Sequence, residues 1–202
     1  MSLYTLKPRF QTALGSIEMR LVARGVKADW LTASAVTAAA IAATLHSLGW
    51  VAQWPVLWLI PPLALLRLTL NALDGQVARR SGTARPWGAV LNELGDRLSD
   101  LLFLAPLALV GPVEPRLGLV ALCAMLMTSL VGVLASSLGA PRLTSGVFAK
   151  ADRMVALAIL YALALGMAAS WPLTLLFWLI LLGSMVSLAQ RVARLHGVTH
   201  ER

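Results

Sequence analysis

Six apolar stretches follow one another along this 202-residue chain, each close to the roughly 20 residues an α-helix needs to cross a bilayer. They run from about Asp29 to Leu48, Trp54 to Arg79, Trp87 to Val110, Leu117 to Leu138, Asp152 to Ala169 and Pro172 to Ala193. With 58% hydrophobic and only 13% charged residues, the chain lacks the charged surface of a soluble domain. The expected fold is therefore all-α: a polytopic membrane protein of six transmembrane helices. Pro55, Pro61 and Pro62 are expected to bend the early part of the second span.

Residues 1–28 read differently. Leu3, Leu6, Phe10, Leu14, Ile17 and Leu21 fall three or four apart, while Lys7, Arg9, Glu18, Arg20 and Arg24 lie mostly elsewhere around the helix. This is an amphipathic helix lying in the membrane surface or packed on the bundle. No short apolar core with a small-residue cleavage site follows the charges, so no cleavable signal peptide is expected. Residues 29–202 show no internal repeat and form one membrane domain.

The loops set the topology. Lys and Arg concentrate in the N-terminal segment, in the connection holding Arg79, Arg80 and Arg85, in that holding Arg142, Lys150 and Arg153, and in the tail with Arg191, Arg194 and Arg202. The alternate connections hold almost none beyond Arg116. The positive-inside rule places both termini in the cytoplasm, and six spans satisfy the alternation throughout. Basic residues scattered in this way account for the net charge of +8 as topology markers facing anionic headgroups. They do not form the clustered stripe that nucleic acid would need.

Trp30, Trp50, Trp54, Trp87 and Trp171 lie near span ends, as in an interfacial belt. Cys123 is read as a small buried apolar residue. His46, His196 and His200, isolated from one another and from acidic partners, are read as interfacial or solvated.

Charged groups inside spans are costly and point to function. Arg67, Asn71, Asp74 and Arg79 lie in the second span, and Asn92, Glu93, Asp96, Arg97 and Asp100 in the third. Asn71, Asp74, Gly75 and Ala78 share one helical face; Asn92, Glu93, Asp96 and Asp100 fall within about 100° on the next helix. Counted outward from a short turn near Thr83, Asp74 comes level with Glu93, and Asn71 with Asp96. Small residues (Gly75, Ala78, Gly88, Ala89) are expected to let the two backbones approach. Mg²⁺ accepts carboxylate, amide carbonyl and phosphate oxygens together and would compensate such a cluster. The competing reading is a self-satisfied network in which Arg67, Arg79 and Arg97 pair with the acids.

Asn71, Asp74, Gly75, Ala78 and Arg79, followed by Gly88, Asn92 and Asp96, resemble the signature of the CDP-alcohol phosphotransferase family. That signature reads D-x-x-D-G-x-x-A-R, eight residues, G, three residues, D, three residues, D. Six positions agree in identity and spacing; Asn71 and Asn92 replace the first and third aspartates. The resemblance implies a divalent cofactor, Mg²⁺ or Mn²⁺, as one or two ions. It makes Asp74 a metal ligand and Asp96 the base that deprotonates the acceptor alcohol. Gly75, Ala78 and Arg79 would lie against the cytidine and diphosphate of the donor, with Gly88 in the same motif. Asn71 and Asn92 would ligate through amide oxygens, and the additional acids Glu93 and Asp100 would restore part of the lost charge.

The implied reaction moves a phosphatidyl or related group from a CDP-alcohol, CDP-diacylglycerol by expectation, to an acceptor alcohol with release of CMP, as in phospholipid synthesis. Arg142, Lys150 and Arg153 would receive a phosphate on the acceptor, although Arg142 also serves as a positive-inside anchor. Asp152 is expected to pair with Arg153 or cap its helix. Thr32 would cap the first span or touch the nucleotide. Family members commonly form homodimers, on which the sequence is silent. The compact form resembles bacterial members, whose place is the plasma (inner) membrane. The alternatives are a homologue that binds nucleotide or lipid without turnover, for which Asn71 and Asn92 argue, and a small transporter. The transporter reading lacks an inverted repeat, and its acids would sit near one face, away from the midplane.

Overall fold

A computed structural model describes residues 12–52, 55–138, 143 and 146–200. Among them are seven α-helices and no strand: α1 (Gly15–Ala23), α2 (Ala28–Ala52), α3 (Ile60–Arg80), α4 (Pro86–Leu109), α5 (Pro115–Ser137), α6 (Lys150–Gly166) and α7 (Trp171–His200). The helices follow the apolar runs closely because the punctuation is strong. Proline stands in the first turn of α3, α4 and α5, where its missing N–H costs nothing. The Glu114 side chain accepts the Leu117 amide at the start of α5 (2.7 Å). Gly82, at φ +69, makes the left-handed turn after α3. The proline-rich start of the second apolar run becomes a separate 3-10 turn, Pro55–Leu59, leading into α3.

The outside of the bundle is apolar. Leu65, Leu94, Leu98, Leu119, Ile159 and Leu182 are all exposed, a surface suited to hydrocarbon and not to water. Four segments are long and apolar enough to cross a membrane: Ala28–Trp50, Pro55–Arg80, Pro115–Ser137 and Trp171–Gly197. Of the remaining three helices, α1 has 9 residues, α4 carries Glu93, Asp96, Arg97 and Asp100, and α6 has 17 residues. Trp30, Trp87 and Trp171 are exposed at helix starts, where an interfacial belt would put them.

Hydrocarbon outside removes the usual hydrophobic drive for helix association, so close packing carries more of the load. Leu104, Leu107, Met125, Leu157, Leu176 and Phe177 fill the core. A Cβ added at Gly118 would come within 2.2 Å of Ala108 Cβ, so α5 meets α4 only because that position is glycine.

The expected close pairing of α3 with α4 is not what forms. The two share few contacts, and α2 packs along both. Its buried small face (Ala35, Ala38, Ala39, Ala42) provides the room. On α4 the glycine that matters is Gly95, where a Cβ would lie 2.9 Å from Thr32 Cγ2. Gly75 faces the Arg79 side chain, and Gly88 faces Arg85 and Asp29.

Helix α1 lies against α3, with Leu14 buried among Leu31, Leu73 and Val77, and Leu21 packed on the same cluster. Ile17 remains exposed, and Leu3, Leu6 and Phe10 lie outside the described residues. Two expectations are corrected. Cys123 is exposed on the outer face of α5, where a soft apolar side chain suits lipid. His46 is buried, its Nδ1 2.6 Å from the Tyr161 hydroxyl and its ring stacked on Trp50. A hydroxyl 115 residues away gives this histidine the partner that its own helix lacks.

Candidate active site

Helix α3 presents Arg67, Asn71, Asp74 and Ala78 along one face, and α4 turns Asn92, Asp96 and Asp100 toward it. Two cross-helix pairs form. Asn92 Nδ2 donates to Asp74 Oδ2 at 2.6 Å, and Asn71 Nδ2 donates to Asp96 Oδ1. Asn71 thus meets Asp96 at the expected height. Asp74 meets Asn92, whereas Glu93 points aside and pairs with Arg97 on its own helix. That ion pair faces a groove of about 220 Å³ between α4 and α5, otherwise lined by apolar residues and Ser129.

Asp74 is held from three directions. Thr32 Oγ1 on α2 donates to Oδ2 at 2.9 Å, Asn92 donates to the same oxygen, and the Gly75 amide donates to Oδ1 at 2.5 Å. Thr32 stands one turn inside α2, so it is not that helix's cap. The cap expected of Asp152 is present at α6, where Oδ2 accepts the Ala149 amide at 2.8 Å. Among the described residues no cation pairs directly with Asp74; its partners there are neutral dipoles.

Asp96 and Asp100, one turn apart on α4, have cationic partners. Lys150 at the start of α6 donates to Asp96 Oδ2 and to Asn71 Oδ1, the latter at 2.5 Å. Arg67 donates to the Asp96 carbonyl at 3.0 Å, and Arg97 comes within 3.8 Å of its carboxylate. Asp100 is completely buried between Arg67 at 2.9 Å and Arg153 at 2.8 Å. Arg153 also donates to the Phe148 carbonyl at 3.3 Å. Arg79 is exposed beside Gly75, and Ala78 and Gly88 are half-buried nearby. Arg142 lies outside the described residues.

Two residues that sequence reasoning left as a topology marker or unread tie α7 to its neighbours, Ser187 to the segment before α6 and Arg191 to α5. Ser187 Oγ on α7 accepts the Val147 amide at 3.0 Å, and Arg191 donates to the Thr128 carbonyl at 2.6 Å. Both positions are tight: a Cβ at Gly146 would lie 2.6 Å from Ser187 Oγ, and one at Gly132 2.9 Å from Arg191 Nη1. These contacts steer Lys150 and Arg153 toward α3 and α4. Spacing within one helix carries no sign of them.

The donor set was tested against a divalent ion. Among the described residues no three His, Cys, Asp or Glu side chains converge as a metal cage. The Asp74 carboxylate, with Asn71 and Asn92 beside it, nevertheless supplies hard oxygen donors of the kind Mg²⁺ and Mn²⁺ take in company with phosphate. Amide oxygen and nitrogen are interchangeable by rotation of the side chain, so either asparagine can turn its oxygen inward. The residues fit a hard divalent ion.

No family model matches the chain. It is 33% identical over 172 residues to the Inner membrane protein YnbA of Escherichia coli, covering 85% of this chain and 84% of that one. It is 32% identical over 162 residues to the archaetidylinositol phosphate synthase of Aeropyrum pernix, covering 78% and 82%. Among solved structures, its fold matches the Mycobacterium tuberculosis phosphatidylinositol phosphate synthase PgsA1 with CDP-DAG bound (TM-score 0.72, 23% identity, 89% of this chain and 92% of that one). The same enzyme in complex with manganese and citrate gives a TM-score of 0.73 at 23% identity, over 89% and 87%. The chain belongs to the CDP-alcohol phosphotransferase family and is an integral membrane enzyme of that class.

Proposed function

We propose that this protein transfers a phosphatidyl group from CDP-diacylglycerol to the hydroxyl of an acceptor alcohol, releasing CMP, between α3 and α4. The observation that carries the reading is the convergence of Asp74 and Asp96 from two helices, with Asn71 and Asn92 between them, beside half-buried Gly75 and exposed Arg79. Further support is that the A. pernix relative is an archaetidylinositol phosphate synthase and that the M. tuberculosis enzyme binds CDP-DAG.

In this reading α2–α7 are six spans and α1 is an amphipathic helix at the interface. Both termini face the cytoplasm of a bacterium, in keeping with the alternating basic connections. The CDP head enters at the end of the bundle that carries the α3–α4 turn, and the acyl chains stay in lipid. Gly75, Ala78, Arg79 and Gly88 line its approach; the missing side chain at Gly75 leaves room, and Arg79 supplies a positive charge to the diphosphate.

Asp74, with the amide oxygen of Asn92, would hold a divalent ion, whose chemistry is to neutralise the diphosphate and stabilise departing CMP, while the amide oxygen of Asn71 is taken by Lys150. Asp96 accepts the proton of the acceptor hydroxyl as its oxygen attacks the lipid-bearing phosphorus and the bond to CMP breaks. Glu93 and Asp100 stay outside this set, each committed to arginine. Arg153 and Lys150 border the side from which the acceptor comes. Most of the acceleration is positioning and electrostatics.

One observation favours a second reading, a homologue that holds the donor without turnover: the Lys150 ammonium sits on the oxygen that must take the proton. The test is CMP release by purified protein from CDP-diacylglycerol with Mg²⁺ or Mn²⁺. The acceptors are glycerol phosphate, inositol phosphate, serine and a second lipid, and Asp74→Ala and Asp96→Ala run alongside. Turnover that requires metal and one acceptor, and falls by about 10²–10⁴-fold in either variant, is expected. Folded protein that binds donor yet releases no CMP with any acceptor gives the case to the second reading.

A further inference from the structure

We propose that Lys150 is a built-in cation occupying one half of the site, so that the protein binds one divalent ion and not two. This rests on the transferase reading for the identity of the site but concerns its metal count. The four chelating positions divide into two pairs, Asp74 with Asn92 and Asn71 with Asp96. The second pair already holds a cation. Lys150 reaches across 79 residues of sequence to Asn71 and 54 to Asp96, and its ammonium bonds an oxygen of each. The first pair has only neutral donors, Thr32, Asn92 and the Gly75 amide, around Asp74.

Charge balance leads to the same count. Within the bundle Asp74, Glu93, Asp96 and Asp100 give four negative charges, and Arg67, Arg97, Lys150 and Arg153 give four positive, a net of zero; exposed Arg79 at the edge adds one further positive charge, which counts against a second ion. The diphosphate of a CDP-lipid carries two negative charges. One divalent ion arriving with it leaves the buried site neutral, and a second would leave an uncompensated double charge where dielectric screening is weak. Asparagine at positions 71 and 92 leaves two fewer carboxylate charges than the resembled signature carries, and the Lys150 ammonium stands between Asn71 and Asp96. When donor binds, the same ammonium lies beside the diphosphate and adds its charge there.

The experiment counts Mn²⁺ on the full chain in detergent by equilibrium dialysis, with and without CDP-diacylglycerol, and reads its electron paramagnetic resonance spectrum. Wild type is expected to hold one Mn²⁺ per chain with the six-line signal of an isolated ion. Lys150→Arg should keep that count. The double variant Asn71→Asp with Lys150→Met should take up two, with a spectrum broadened by ion–ion coupling. Two ions in wild type overturn the proposal on that protein alone, whether or not the variants fold. A folded double variant that stays at one ion overturns it equally, as does the absence of bound Mn²⁺ in wild type. A one-ion protein that never releases CMP leaves this proposal standing while the transferase reading falls.

Discussion

Asp74 and Asp100 are the same residue on facing helices about 12 Å of helix rise apart, and their surroundings suit them to opposite uses. Asp100 is sealed from solvent and braced by two guanidinium groups, Arg67 from α3 and Arg153 from α6. Asp74 is nearly as buried, at 3% exposure, yet is met only by a hydroxyl, an amide and a backbone N–H. A carboxylate neutralised by fixed cations ties three helices together and has nothing left to offer a ligand. One met by neutral dipoles alone gains from an arriving cation. What separates Asp100 from Asp74 is the kind of partner, not burial.

The sharpest way to break that distinction is to remove each acid. Asp100→Ala leaves two buried guanidinium groups facing each other, and losing one partner of such a network costs about 3–5 kcal/mol. Loss of folded, monodisperse protein or a large fall in detergent unfolding temperature is expected. Asp74→Ala, which removes a charge that no cation among the described residues contacts directly, should unfold at or above the wild-type temperature while losing turnover. Unfolding measurements on the two variants decide the matter, and equal destabilisation would mean that both acids are structural.

A smaller effect tests whether the dipoles around Asp74 hold it in place. Thr32→Val keeps the shape of the side chain but deletes the hydrogen bond to Oδ2. A hydrogen bond to a charged group contributes about 1.5–3 kcal/mol. Mn²⁺ affinity is expected to drop about tenfold and CMP release with it, at unchanged fold, and Thr32→Ser should restore both. No change in either would free Asp74 from dependence on α2.

Helix ends and shared faces were legible in the chain because apolar runs, prolines and the turn at Gly82 are local signals. The pairing of Asn71 with Asp96 followed from counting residues outward from one turn. The identity of the helix across from a given face is not local information. Nothing near Thr32 announces that α2 inserts between α3 and α4, and no spacing rule links Asp100 to Arg153, 53 residues on. Lys150 read as a loop cation for the acceptor's phosphate, because its contact with Asp96 depends on how Ser187 holds the segment before α6. Cys123 and His46 were misjudged for the same reason: composition gives a residue's preference, and the neighbouring helix decides its exposure.

Glu93 supplies the finest cut. By angle alone it belongs with Asn92 and Asp96, yet it is bound to Arg97 on the side of α4 that faces the α5 groove. Were it a ligand, Glu93→Gln would weaken Mn²⁺ binding by at least the 10–100-fold seen when even outer-sphere groups of metal sites are changed. As a partly exposed i,i+4 ion pair it contributes at most about 1 kcal/mol. The expected result is Mn²⁺ affinity and CMP release within about threefold of wild type, with a slight fall in unfolding temperature. Glutamine keeps a hydrogen bond to Arg97 while removing the charge, so any large effect would have to come from the metal side. A tenfold or greater loss of Mn²⁺ affinity would therefore move Glu93 into the group with Asp74 and redraw the boundary between acids that hold the bundle and acids that serve its ligands.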